Sequence, residues 1–246
     1  MRFGGGTTPV IVGPSRSSAE RPKTPQAVFD RVAPFYDVLN SVLSFGMDRR
    51  WRRETVAALK LSPGASVLDV ATGTGALAIE IARATSGTVQ VTACDTNERM
   101  LSVARARTDS VMSAVEIVQC DAAKLPFADR SFDAVTVSFA IDDMPDRGAC
   151  VREIRRVLRT GGRVAVLELS QPDHGILRTG YLAYLRVFRA FGRLGFDHLE
   201  QEILKYRGPA AIEELLRGAG FDAYQRRSLS AGIARLHLAD KGHGPS

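Results

Sequence analysis

The chain has 246 residues, 45% hydrophobic and 24% charged, which suits one globular domain of the larger kind with an ample core. Its formal charge of +6 permits attraction to nucleic acid or an anionic membrane surface but says nothing of fold. No apolar run approaches the ~20 residues of a membrane span and the first residues lack an apolar h-region, so a cytoplasmic protein is expected, with peripheral membrane contact left open.

Residues 1–24 carry GGG, serines and prolines and too few large apolar side chains to offset ordering entropy, so a mobile tail is expected. From Pro25 to about Leu59, apolar positions such as Val28, Val32, Phe35, Val38, Leu39 and Val42 recur at helical spacing, broken near Pro34 and Gly46. This is a helical preface to a domain spanning 25–241. Within it Arg49, Arg50, Arg52 and Arg53 surround Trp51. The favoured reading is a helix with Trp51 inward and solvated arginines outward; the other is an aromatic, basic surface for a base or a membrane interface.

Beyond the preface, strands and helices alternate in the pattern of a parallel sheet covered on both faces. Strands are predicted at Ser66–Val70, Val89–Asp95, Val115–Cys120, Ala134–Phe139 and Arg163–Leu169. Cys150, Val151, Ile154, Val157 and Leu158 form an apolar stripe that predicts a helix ending at Gly161 and Gly162. A helical insertion follows near 176–206, first Ile176 to Leu194 and then Leu199 to Tyr206, of the kind that shapes substrate pockets. Ile212–Arg217 reads as helix, and Ala223–Ser230 with Gly232–Leu238 as a closing strand pair. Cys94, Cys120 and Cys150 are scattered and odd in number, so reduced core thiols and no metal site are expected.

The most specific local signal is SVLDVATGTG, Ser66 to Gly75. An apolar strand carries Asp69 at its end; Gly73, Thr74 and Gly75 make a tight turn, and an apolar helix begins at Leu77. Lacking Cβ atoms, the glycines let a ligand lie against the backbone with helix amides facing it. Asp95 ends the next strand 20 residues beyond Gly75, the spacing at which a carboxylate meets a ribose diol in doubly wound folds. Gly73, Gly75 and Ala78 also satisfy the dinucleotide pattern G-x-G-x-x-A, a weak match by itself. Asp69 separates the two: it would repel a pyrophosphate, whereas the ammonium and sulfonium of S-adenosyl-L-methionine are stabilised beside it. Adenosylmethionine is the expected cofactor.

These residues resemble class I methyltransferases and, within them, the ubiquinone and menaquinone biosynthesis C-methyltransferases of the UbiE/MenG type. The likeness covers about Val28 to Lys241 and rests on VFDRVAPFYDVLNSVLSFGMDRRWRR, VLDVATGTG, ACD, DAAKLPFADRSFDAVTVSFA, REIRRVLRTGGRVAVLELSQP and LSAGIARLH, in that order. It implies an α/β, Rossmann-like fold with a seven-stranded, mostly parallel sheet, the last strand antiparallel and the cofactor across the strands' carboxyl ends. Position by position it implies that Thr74 and Asp95 contact the cofactor, that Asp121 and Ala122 flank the adenine, and that Ser138 lines the site. The Asp121 carboxylate can accept from the adenine amino group. Tyr36 and Asp37 match the family's Tyr-Asp pair and suggest a front helix that closes as a lid.

The departures from the family are local. Ala76 stands where the family has an acid, Asp142 and Asp143 where it has Arg-Asn, and Glu202 to Arg207, EILKYR, where it has Ser-Ile-Arg-x-His-Pro. The cofactor half is intact and the substrate half rewritten. Methyl transfer mainly needs nucleophile, methyl carbon and leaving sulfur aligned. A phenolic acceptor also needs a base, and Asp142 and Asp143, just past a strand end, are the first candidates because paired carboxylates raise one another's pKa. His198 is a further candidate, and Glu168 is expected to orient the strand end.

The expected activity is adenosylmethionine-dependent methylation of a small aromatic, quinol-like or phenolic acceptor, with or without a prenyl tail, C-methylation favoured. A specialised-metabolite O-, N- or C-methyltransferase and a non-catalytic adenosylmethionine-binding module are the alternatives. No RNA-binding module is visible, so nucleic acid is not an expected partner.

Overall fold

The computed structural model describes residues 41, 44–108, 115–172, 175–189 and 208–242. Helix α1, Asp48–Leu59, turns Trp51, Thr55, Val56, Ala58 and Leu59 inward and ends at Lys60 in the left-handed conformation. There follow β1 (Ser66–Val70), α2 (Ala76–Ala84), β2 (Gln90–Asp95), α3 (Glu98–Thr108), β3 (Val115–Gln119) and β4 (Phe132–Ser138). A 3-10 turn (Ile141–Asp143) leads to α4 (Arg147–Val157), β5 (Leu158–Leu169), α5 (Gly175–Arg189), α6 (Pro209–Gly218), β6 (Asp222–Leu229) and β7 (Ala234–Asp240).

The strands form one sheet in the order β3-β2-β1-β4-β5-β7-β6. The first five are parallel, and β7 runs antiparallel to both β5 and β6. Strand order reverses between β1 and β4, which opens a crevice at their carboxyl ends, where doubly wound sheets take their ligands. Alternation along each strand divides the core between two faces. Val67 packs with Trp51, Leu77 and Ile81 on one, while Leu68 and Val70 join Val135, Ile154 and Val166 on the other.

The expected helix end at Gly161 and Gly162 is corrected. Helix α4 stops at Val157, and β5 starts at once with Leu158. Phe132 pairs with Leu158 but Ala134 with Arg163, so the register shifts between them. Gly161 has φ +78°, and a Cβ on Gly162 would stand 2.8 Å from the Arg159 carbonyl oxygen and 2.9 Å from that of Asp133. The glycines therefore serve a kink in the strand pressed against β4, not a helix cap. The tail at 1–24, the preface up to residue 40 with Tyr36 and Asp37, and 190–207 with His198 and Glu202 to Arg207 lie outside the described residues.

Candidate active site

The carboxyl ends of β1, β2 and β4 and the segment after β3 wall a cavity of about 280 Å³, close to the lower end of the range for small-molecule sites. Gly73, Thr74, Asp95, Asp121, Ala122, Ser138 and Asp143 line it, whereas Asp69, Gly75 and Asp142 do not.

Gly73 has φ +55°, and a Cβ placed on it would meet no atom within 4 Å, so its missing side chain leaves backbone open to a ligand. Its N–H donates to Asp95 Oδ2 at 2.9 Å, and the Asn97 N–H donates to Oδ1 at 2.9 Å. Burial pushes the Asp95 carboxyl up, opposed by the amides of Asn97, Gly73 and Thr96. Three amides do not exhaust the roughly four acceptor sites of a carboxylate, so Asp95 ties the glycine loop to β2 and still has acceptor capacity facing the cavity. The Thr74 hydroxyl and carbonyl accept from Arg107 Nη1 at 2.9 and 3.0 Å. At the β3 end, Asp121 Oδ1 accepts the Ala123 N–H at 2.8 Å, and its carbonyl accepts the Lys124 N–H at 2.9 Å. That tight turn holds Asp121 and Ala122 on the rim.

Two of the loop assignments are corrected. Asp69 is fully buried: Oδ1 accepts from Thr136 Oγ1 and Oδ2 from Thr72 Oγ1, each at 2.6 Å. Burial pushes its carboxyl up to about 6 against those hydroxyls. It braces β1 to β4 and to the loop instead of facing a ligand's charge. Gly75, with φ +75°, sits where a Cβ would lie 3.2 Å from Ala104 Cβ, so it lets α2 start close against α3.

Beyond β4, Glu168 of β5 is buried and its Oε1 accepts the N–H groups of Ala140 and Ile141 at 3.0 and 2.9 Å. Burial pushes its carboxyl up to about 8, the two amides opposing and the charges of Asp142 and Asp143 adding. The 3-10 turn that Glu168 holds splits the expected carboxylate pair. Asp142 is ion-paired with Arg147 at 2.7 Å, away from the cavity, while Asp143 stands on the cavity wall beside Met144 and Pro145.

Sequence reasoning missed two features of the wall. Arg52 is buried and lines the cavity, its Nη1 2.8 Å from Asp48 Oδ2. The signal was present: Asp48, Trp51, Arg52, Thr55, Val56 and Leu59 follow the i, i+3, i+4 spacing of one helix face. Arg49, Arg50 and Arg53 are exposed as expected. All three cysteines are free and buried, and all three reach the cavity. The Cys120 sulfur beside it, with burial, pushes the Cys94 thiol above its ordinary range, so it stays protonated.

Open glycine backbone, a strand-end carboxylate suited to vicinal hydroxyls and a polar rim past β3 fit adenosylmethionine, and with this sheet order they define a class I methyltransferase. The chain belongs to the ubiE/COQ5 methyltransferase family, whose model matches residues 17–241, and it is an S-adenosylmethionine-dependent methyltransferase. A ubiquinone/menaquinone biosynthesis C-methyltransferase UbiE of Geotalea daltonii is 36% identical over 226 residues, covering 88% of this chain and 95% of its own. A demethylmenaquinone methyltransferase of Mycolicibacterium paratuberculosis is 39% identical over 235 residues, covering 92% and 98%. Among solved structures, a putative S-adenosylmethionine-dependent methyltransferase of Methanococcus maripaludis aligns with a TM-score of 0.70 at 17% identity over 92% of this chain and 98% of its own. The 4+2 cyclase SpnF aligns with a TM-score of 0.65 at 19% identity, covering 90% and 97%. Such likenesses carry the fold alone, and a cyclase among them illustrates that chemistry is set by the site. Among the described residues no helix is long and apolar enough to cross a membrane.

Proposed function

We propose that this enzyme methylates a ring carbon of a small phenolic or quinol-like acceptor and that Asp143 takes the proton of the ring hydroxyl. The observation that carries the reading is the Asp143 carboxylate on the cavity wall at the carboxyl end of β4, beside Phe139, Met144 and Pro145. The relatives named for quinone C-methylation support the acceptor class.

In this reading Asp95 receives the ribose hydroxyls, Gly73 and Thr74 border the loop side, Asp121 and Ala122 flank the adenine, and Ser138 closes the site from β4. Residues 25–241 act as one methyltransferase domain. When bound, adenosylmethionine supplies its methyl as an electrophile on a sulfonium. Phe139, Met144 and Pro145 give an aromatic ring an apolar wall and keep water away. Asp143 draws the hydroxyl proton, which makes the ring enolate-like and its ortho carbon nucleophilic; once that carbon carries the methyl it gives up its ring hydrogen as a proton and the oxygen regains one, so the ring is aromatic again and one proton is released in all. A second reading, O-methylation of a specialised metabolite, draws on the same carboxylate, because an oxygen acceptor needs that one proton transfer and no more.

The test is product analysis with a panel of quinols and phenols. A C-methylated ring is the expected product; an aryl methyl ether selects the second reading, and no turnover with any member removes the acceptor class. His198 becomes the base to examine if Asp143→Asn turns over a confirmed acceptor at the parent rate.

A further inference from the structure

We infer that Arg52 is the anchor for the α-carboxylate of bound adenosylmethionine and that Asp48 aims it; this rests on the cavity being the cofactor site. Among the described residues lining the cavity Arg52 is the single cation, and the other charged ones are Asp95, Asp121 and Asp143. A ligand bearing ammonium, sulfonium and carboxylate finds acids for its cations along that described wall, and a positive charge for its anion at Arg52.

Burying a guanidinium is costly unless it is paired. Asp48 Oδ2 meets Arg52 Nη1 at 2.8 Å, with the two side chains 3% and 9% exposed. Asp48 is itself fixed, since Oδ1 accepts from Ser41 Oγ at 3.2 Å and from Ser44 Oγ at 3.1 Å. One N–H of five is thereby committed, and the planar group keeps donors for the cavity it lines. A carboxylate is the anion that such a fork takes with two parallel bonds.

The order of the strands gives the placement. Asp121 follows β3, Asp95 ends β2, Gly73 follows β1 and Phe139 follows β4, while α1 packs on α2 and β5. Trp51, next to Arg52, meets Phe139 edge-on at 6.4 Å between centroids and donates from Nε1 to Ser230 Oγ at 2.8 Å, which fixes α1 at the β4 end. A nucleoside amino acid with its base at β3 and its ribose at β2 therefore has its amino-acid end toward β4, roughly 14 Å or three strand spacings away. Arg52 waits at that end.

The experiment titrates the full chain and its variants with S-adenosylhomocysteine and with 5′-methylthioadenosine, which keeps base, ribose and sulfur but lacks the amino-acid group. Arg52→Met is expected to weaken S-adenosylhomocysteine by about 10- to 100-fold and to leave methylthioadenosine little changed. Arg52→Lys should recover part of the loss, because a point charge lacks the fork. Asp48→Asn should show the same ligand-selective loss in smaller degree. Equal loss for both ligands would make Arg52 a helix-packing residue and overturn the inference. Unchanged S-adenosylhomocysteine affinity would also overturn it, and if the acceptor KM alone rose, Arg52 would belong to an acceptor anion. Failure of the folded parent to bind either ligand would remove the cofactor site itself, a result distinct from all of these.

Discussion

Along β1 and β2 the carboxylates are woven into the scaffold: Asp69 lies between two threonine hydroxyls, and Asp95 is gripped by the amides of Gly73 and Asn97. Past β4 the acids crowd one turn, with Glu168 buried beneath it, Asp142 ion-paired with Arg147 and Asp143 standing on the cavity wall. The first region uses acid groups to hold a loop still. In the proposed reading the second sets the charge seen by whatever is methylated. One sheet edge can thus keep a cofactor site fixed while the adjoining turn is rewritten.

The comparison breaks most visibly at Asp69. Asp69→Ala leaves the Thr72 and Thr136 hydroxyls buried without their acceptor and should lower unfolding stability by about 2 to 4 kcal/mol in a urea titration. A loss within about 0.5 kcal/mol, the range of surface substitutions, would mean that the carboxylate does not brace β1 to β4. On the other side, Asp143→Asn should lower the methylation rate by about 10²-fold with S-adenosylhomocysteine affinity little changed. Asp142→Asn should keep most of the rate, because its charge is already matched by Arg147. Equal losses at the two positions would contradict the split pair. Asp95→Ala should cost about 1 to 3 kcal/mol of S-adenosylhomocysteine affinity by calorimetry, and unchanged binding would take Asp95 out of the site.

The smallest effect concerns pH. The Glu168 carboxyl is pushed up to about 8 from an ordinary 4.5, so between those values the folded chain holds a proton that the unfolded chain has released. Stability therefore falls as pH rises through that window. Glu168→Gln keeps an oxygen for the Ala140 and Ile141 amides but cannot ionise, so its melting temperature should vary less than the parent's over that range. Parallel curves would show that Glu168 ionises without strain.

What could be read from the sequence was what depends on near neighbours. The strand, the glycine turn and Asp95 were legible because their spacing is local, and the positive φ of Gly73 is what its lack of a side chain foretold. The role of Asp69 was not, because Thr136 lies 67 residues away and only the β1–β4 pairing brings it near. Asp142 and Asp143 looked equivalent because they are consecutive; a 3-10 turn rotates successive side chains by about a third of a circle, so only one faces the cavity. Gly161 and Gly162 signalled a break in regular structure without saying that the break lay inside a strand. Arg52 falls on a helix face whose spacing is readable, but a basic residue reads as solvated until its buried partner Asp48 and the cavity beyond it are known.

The path of β7 has a consequence for how the chain assembles. Strand β6 precedes β7 yet pairs with it alone, and β7 in turn pairs with β5, so β6 joins the sheet only by way of a strand made after it. The two form a hairpin through Ser230–Gly232, a local contact that closes sooner than the distant docking of β7 onto β5. Ser230, at the tip of that hairpin, is the acceptor for the Trp51 indole N–H. The helix carrying Arg52 therefore gains this anchor only when the hairpin docks, and a lesion that keeps β7 from docking reaches the far end of the cavity without touching any residue on its wall.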